Sequence, residues 1–487
     1  MQMIRPTLMA LAIASTLVAC GGDGDSASAL PEEKRAQDDR TFAPSDADAK
    51  ATTFAALKSD PGDVVDMAST DRYAGVLNGA AYRIEVPAKW NGKLVMYAHG
   101  YAGTGAVLGI TNPAIRRHLI QMGYAWAASS YSTNYYDVRA GVEDTNALAI
   151  AFRSIAQARG RDPGSPQKTY IIGHSMGGHI SAAAVEKETL DTAKNKVRYD
   201  GAVPMCGVVG DTELFDYFAG AQLAAQALTG YAGTAFTSWS TIQAPVMSQL
   251  LNIDASGNIA PIAPKGLAYA SVVQNLTGGP RPLFGVGLAQ GKSFGAVLGV
   301  FGGDGTINGI LNKKVLDTRS ITYTVDGDAA TSALINSTAQ KLTPDADANR
   351  LRRDGLRWIP QVNGEFSVPV VTLHTLGDLY VPFSMEQIYR TRAKAKGSDN
   401  WLVQRAIRGI THCDFTVAEQ EAAFDAMTQW EQTGSKPVGD DVLTAATVAQ
   451  PQYGCNFSNN TPRPDDSATT LGVRQLLVNN GLGCPAR

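Results

Sequence analysis

Thr169-Tyr-Ile-Ile-Gly-His-Ser-Met-Gly-Gly178 is the stretch on which the reading of this 487-residue chain turns. An apolar run fit for a buried strand ends in Gly173-His-Ser-Met-Gly177, a match to G-x-S-x-G, and a run of small residues from Gly178 to Glu188 follows with helical character. A sharp strand-to-helix turn would hold Ser175 in a strained backbone conformation, and side chains at the flanking glycines would collide with neighbouring elements. Ser175 is therefore the candidate nucleophile, and the start of the following helix offers unpaired N–H groups to developing negative charge.

Outward from that stretch the chain alternates strand-like and helix-like segments from about Ala80, the rhythm of a mainly parallel sheet with helices on both faces. Before it come the apolar runs Lys93-Leu-Val-Met-Tyr-Ala98 and Tyr124-Ala-Trp-Ala-Ala-Ser129, with helical patterns over Ala114–Met122 and Val142–Ala158. After it comes Gly201-Ala-Val-Pro-Met205, and then the rhythm stops. It resumes at Val368-Pro-Val-Val-Thr-Leu-His374 and continues through Trp401–Ile407 to a helix over Val417–Gln432.

The interruption spans about Asp211 to Glu365, and from Tyr217 to Ile253 it contains no Asp, Glu, Lys or Arg. Scattered Gln, Ser, Thr and Gly argue against a membrane span. Its aromatics, Phe215, Tyr217, Phe218, Tyr231, Phe236 and Trp239, suit either a cap over a site or the segment's own core.

A serine nucleophile needs a base, and there are six histidines. His118 falls in an amphipathic helix pattern, His374 in a strand, and His174 and His179 are too close in sequence to Ser175 to turn back on it. His99 suits a loop prop. His412, in Arg408-Gly-Ile-Thr-His-Cys413 between the last strand and the last helix, is the candidate base. The orienting acid should lie between serine and histidine in sequence, just beyond a strand end. Asp378 in Leu376-Gly-Asp-Leu-Tyr-Val-Pro382 fits, with Asp211 as its rival and a turn or cap role as the bland alternative. Ala98-His-Gly-Tyr-Ala-Gly103 follows a strand that should supply one oxyanion-hole amide, so the N–H groups of Tyr101 and Met176 are the expected pair.

Composition limits the alternatives. With 44% hydrophobic residues the chain can bury a large core, and a net charge of −3 without a long basic run leaves no footprint for nucleic acid. Arg5 precedes an apolar stretch from Leu8 to Val18, the n- and h-regions of a signal peptide. Leu17-Val-Ala-Cys20 resembles the bacterial lipobox, which implies a lipid anchor on Cys20. Gly21 rather than Asp follows it, favouring the outer membrane if the cell is Gram-negative; plain secretion is the alternative. The expected layout is a signal over 1–19, a flexible tether over 20–52, core over 53–210, cap or lid over 211–365, core again over 366–435, and a loop-rich tail over 436–487.

His99-Gly100, Gly173-His-Ser-Met-Gly-Gly178, Gly377-Asp-Leu-Tyr-Val-Pro382 and Gly409-Ile-Thr-His412, in that order, resemble the α/β-hydrolase superfamily in its secreted lipase and esterase branch. The resemblance covers roughly 80–210 and 368–432. It implies an α/β-hydrolase fold with a large insertion before the acid, a Ser-Asp-His triad, acyl-enzyme chemistry and no cofactor. The expected substrate is a small-molecule or polymeric ester, uncharged or apolar and met outside the cytoplasm. A serine peptidase of the same fold, or an anchored binding protein without turnover, are the other readings.

Cys413, directly after His412, is similar to esterases of the tannase and feruloyl esterase type, in which a disulfide braces the catalytic residues. There the partner cysteine precedes the serine, a place His174 takes here. That resemblance implies a bracing partner for Cys413, and Cys206 is the choice, leaving Cys455 with Cys484. Four cysteines in an exported chain still allow three connectivities. None sits at a CxxC spacing, and Asp304 and Asp326-Gly-Asp328 lack a full calcium-loop pattern, so no metal is expected.

Overall fold

Asn78 and Gly79 take φ of 51° and 88°, the backbone required by a two-residue hairpin turn. They join β1 (Thr70–Leu77) to β2 (Ala80–Pro87), the antiparallel edge of the central sheet. The computed structural model describes residues 32–306 and 310–484, so the signal segment and Cys20 lie outside the described residues.

The other strands are β3 (Lys93–Ala98), β4 (Ala125–Ser129), β5 (Lys168–His174), β6 (Gly201–Met205), β7 (Val370–Thr375) and β8 (Leu402–Ile407). The eight-stranded order is β1-β2-β4-β3-β5-β6-β7-β8, parallel from β4 onward. This is the strand order of the α/β-hydrolase fold, and the chain has that fold. Both faces of the sheet are covered, which is why its inner strands read as continuous apolar runs. Along β3, Leu94, Met96 and Ala98 join one core, and Val95 and Tyr97 the other.

Helices α1 (Arg116–Gln121), α2 (Val138–Ala158) and α3 (Met176–Ala184) follow the first strands. α2 begins a turn earlier than the apolar pattern indicates, because Asp137 caps it by accepting from Ala140 N at 3.0 Å. The small residues bring α2 and α3 together: a methyl group on Gly141 would lie 2.2 Å from Ile180 Cδ1.

β6 and β7 are neighbours in the sheet, yet residues 206–369 separate them. This insertion carries α4 (Glu213–Thr229), α5 (Lys265–Leu276) and α6 (Phe284–Gln290). α7 (Ser384–Lys396) and α8 (Val417–Thr433) follow β7 and β8, and Thr416 and Glu419 close a capping box at the start of α8.

Two stretches differ from expectation. Residues 34–50, assigned above to a tether, are packed onto the body. Arg35 is 2% exposed, pairs with Asp137 at 2.6 Å and lies 3.7 Å over the Trp358 ring. A buried guanidinium that is both paired and stacked ties a segment down regardless of its polar neighbours. The tail contains α9 (Ala468–Asn479), and its Arg474 bonds Glu419 at 2.9 Å from a buried position. No helix among the described residues is long and apolar enough to cross a membrane.

Candidate active site

Ser175 sits between β5 and α3 with φ 57° and ψ −119°, strained backbone for a residue bearing a Cβ. Its neighbours make the turn possible. A methyl on Gly177 would lie 2.0 Å from Ala98 O, and one on Gly173 would lie 2.1 Å from Gly177 O. Ser175 N donates to Met205 O at 3.0 Å and Ser175 O accepts from His179 N at 3.0 Å, so the turn is bonded on both sides.

Ser175 Oγ lies 2.8 Å from His412 Nε2, and His412 Nδ1 lies 2.5 Å from Asp378 Oδ2. The three side chains chosen from sequence are thus in line. His412 is held in a loop after β8, where its ring meets Tyr380 edge-on at 5.7 Å. Asp378 is fully buried, and its Oδ1 accepts from Tyr380 N at 2.9 Å and Val381 N at 3.2 Å. That leaves Oδ2 for the imidazole.

Met176 opens α3, and the loop after β3 runs beside the serine: a methyl on Gly100 would lie 3.3 Å from Ser175 Cβ. Among the described residues no backbone acceptor takes the N–H of Tyr101 or of Met176. His99 does prop this loop, its Nδ1–H donating to Gly100 O at 2.6 Å while the ring stacks on Tyr131.

The remaining histidines are engaged elsewhere. His174 contacts Gln420 Oε1 at 3.0 Å, and burial pushes its pKa down to about 4, leaving it neutral. His179 bonds Tyr136 Oη and Pro360 O, and His118 pairs with Asp425 at 2.7 Å. His374, buried in β7, donates from Nε2 to Val381 O at 2.8 Å. Asp211 is likewise occupied: it accepts from Val362 N at 3.1 Å and pairs with Arg392 at 2.7 Å.

The structure joins Cys206 to Cys413 and Cys455 to Cys484. Cys206, Cys413 and His412 place ligand-type atoms together, but both sulfurs are spent in the disulfide, so the cluster offers no thiolate to a metal. The bridge ties the end of β6 to the residue after His412. Replacing the pair by Cys206→Ala and Cys413→Ser should cost about 2–5 kcal/mol of stability and lower kcat through a loosened His412 loop. Thermal unfolding and initial rates check this; an unchanged midpoint with unchanged kcat would show that the bridge braces nothing.

Ser175 opens into a cavity of volume ≈ 250 Å³. Tyr101, Tyr135, Tyr136, Phe215, Phe218, Phe301 and Tyr380 supply aromatic walls, and among the described residues no charged side chain lines it. The aromatics of the insertion therefore divide. Phe215 and Phe218 face the cavity, while Phe236 and Trp239 are buried in the insertion's own core, Trp239 against Phe301. Tyr135 and Tyr380 escaped the sequence reading. Tyr135 adopts φ 68°, which no pattern announces, and Tyr380 is marked only by its place two residues after Asp378.

No family model matches the chain. An o-phthalyl amidase of Xanthobacter agilis is 22% identical over 419 residues, spanning 76% of this chain and 89% of that relative. Among solved structures, feruloyl esterase B of Aspergillus oryzae aligns with a TM-score of 0.44 at 15% identity, over 82% of this chain and 89% of its own. Candida antarctica lipase A in its closed state aligns with a TM-score of 0.36 at 14% identity, over 83% of this chain and 85% of its own. The strand order is that of the α/β-hydrolase fold, and the site sets Ser175, His412 and Asp378 in one hydrogen-bonded line.

Proposed function

We propose that this protein hydrolyses carboxylic esters through an acyl-enzyme, with Ser175 as nucleophile, His412 as general base and Asp378 as the group that orients it. The observation that carries this reading is the unbroken line from Ser175 Oγ to His412 Nε2 at 2.8 Å and from His412 Nδ1 to Asp378 Oδ2 at 2.5 Å. Ser175 Oγ attacks the ester carbonyl as His412 takes its proton, and the amides of Tyr101 and Met176 receive the oxyanion. Collapse of the intermediate expels the alcohol, which leaves with the proton held by His412. Water, activated by the same imidazole, then frees the acid. No cofactor enters these steps.

The cavity supports an uncharged substrate of modest size. Its ≈ 250 Å³ falls below the roughly 300–1,000 Å³ of drug-sized sites, and its walls are aromatic. A charged acyl group would lose its hydration there without finding a side chain of opposite charge among the described lining residues. Amides form a second reading, because the Xanthobacter agilis relative is named an amidase and the same acyl-enzyme serves both leaving groups. Two disulfides suit a protein that meets its substrate outside the reducing cytosol. Anchoring through Cys20 is part of the proposal and lies outside the described residues.

A fluorophosphonate probe should label Ser175 alone, read by peptide mass. In a panel of p-nitrophenyl esters of rising chain length run beside anilides and peptide amides, short uncharged esters should turn over fastest. Failure of the probe to label Ser175, with no ester turned over, would refute the proposal. Anilides outpacing matched esters would transfer it to amides.

A further inference from the structure

The insertion is built into the turn that carries Asp378. Tyr217 Oη donates to Leu379 O at 2.8 Å, and Leu379 N donates to Ser293 Oγ at 3.1 Å. On α6, a methyl at Gly287 would lie 2.3 Å from Gly377 O; just beyond the helix, one at Gly291 would lie 2.1 Å from Ile410 O, two residues before His412. Backbones in such contact move together.

Between α5 and α6 lies Arg281, 6% exposed. Its Nε donates to Leu376 O at 2.8 Å, its Nη1 to Gly279 O at 3.0 Å and its Nη2 to Thr277 Oγ1 at 3.2 Å. None of these acceptors carries charge. Burial lowers its pKa to about 10 against the raising effect of Tyr217 and Asp378, so the guanidinium stays protonated at neutral pH. A buried cation bonded only to neutral groups is costly unless an anion nearby offsets it.

Asp378, a fully buried carboxylate, lies two residues beyond the carbonyl that Arg281 grips. Asp378 has the converse need. It is fully buried, and its hydrogen bonds come from two amides and an imidazole that is neutral while it serves as base. His374, in the strand that leads into this turn, faces Glu386 at 3.4 Å, a carboxylate of its own.

We infer that Arg281 is a positioning residue for the carboxylate of the triad: by holding Leu376 O, two residues before Asp378, and placing its charge behind that turn, it aims Asp378 at His412. The inference rests on the proposed roles of Ser175, His412 and Asp378. It makes the insertion part of the catalytic apparatus, since the segment that walls the cavity also sets the geometry of the acid.

Arg281→Lys and Arg281→Gln in the full chain separate charge from packing. Rates on a p-nitrophenyl ester are normalised to sites titrated to completion with fluorophosphonate, and the downfield proton resonance of the His412–Asp378 hydrogen bond is recorded. Arg281→Gln should lose about 100-fold in kcat per titrated site with KM within about threefold, and its resonance should shift or vanish. Arg281→Lys should keep the resonance and at least about a tenth of kcat. Equal kcat in the two variants, or a Gln variant within about threefold of the parent per site, would overturn the inference. Should Arg281→Gln fail to fold, Arg281→Lys decides alone, and a loss of about 100-fold or more per site there would overturn it. A parallel Ser175→Ala variant keeps the two ideas apart. Surviving turnover there defeats the triad itself, whereas a dead Ser175→Ala beside a normal Arg281→Gln defeats only the role of Arg281.

Discussion

Ser175→Ala should leave a folded protein whose ester turnover has dropped by about 10⁵–10⁶-fold. The loss is so deep because, among the described residues, no other hydroxyl is hydrogen-bonded to His412 Nε2. The imidazole that would activate it lies 2.8 Å from Ser175 Oγ, and the helix start and the Gly100 loop close on the same point. What survives should be the modest acceleration from binding and from the Tyr101 and Met176 amides. Stability is an independent reading of the same residue. Alanine at φ 57° keeps the strain that serine carries, so its unfolding midpoint should hardly move. Ser175→Gly should be equally inactive yet more stable by about 1 kcal/mol, because glycine accepts positive φ without a clash. Ester kinetics and thermal unfolding of the two variants check both points. Turnover above about one per cent in either would mean that another group attacks the carbonyl.

The parts of this site legible in sequence are those set by local backbone demands. Gly173 and Gly177 announce a turn that tolerates no side chains, and β3 and β6 announce themselves because both faces of the sheet are covered. His412 and Asp378 follow from chain order, since each lies in the loop beyond a parallel strand. The insertion was opaque for a physical reason. α4 is buried along nearly its whole surface from Tyr217 to Thr229, so it lacks the polar stripe that gives a helix its period, and a stretch without charges reads as no element at all. Arg35 and Arg474 were opaque because their partners, Asp137 and Glu419, are distant in sequence. A polar, charged segment reads as solvated until its partners are known. Arg281 belongs with them: nothing near it in sequence hints at Leu376 O.

Asp378→Asn should lower kcat by about 10⁴-fold while KM changes little, and the surroundings of the carboxylate explain the depth of the loss. Its Oδ1 already accepts from the amides of Tyr380 and Val381. An asparagine must place its carbonyl oxygen there, because turning its amide nitrogen towards those two N–H groups would abandon both bonds and set donors against donors. The nitrogen then faces His412 Nδ1 and makes that atom an acceptor, which puts the imidazole proton on Nε2, the atom directed at Ser175 Oγ. With its proton on Nε2 the imidazole has no lone pair facing Ser175 Oγ, so it cannot take the serine proton. Asp211→Asn gives the contrast. Its carboxylate pairs with Arg392 and accepts from Val362 N, so its loss should lower the unfolding midpoint and leave kcat per folded molecule near the parent value. Initial rates and thermal unfolding of the two variants decide the assignment. A deep loss of kcat in Asp211→Asn with little in Asp378→Asn would move the acid role to Asp211.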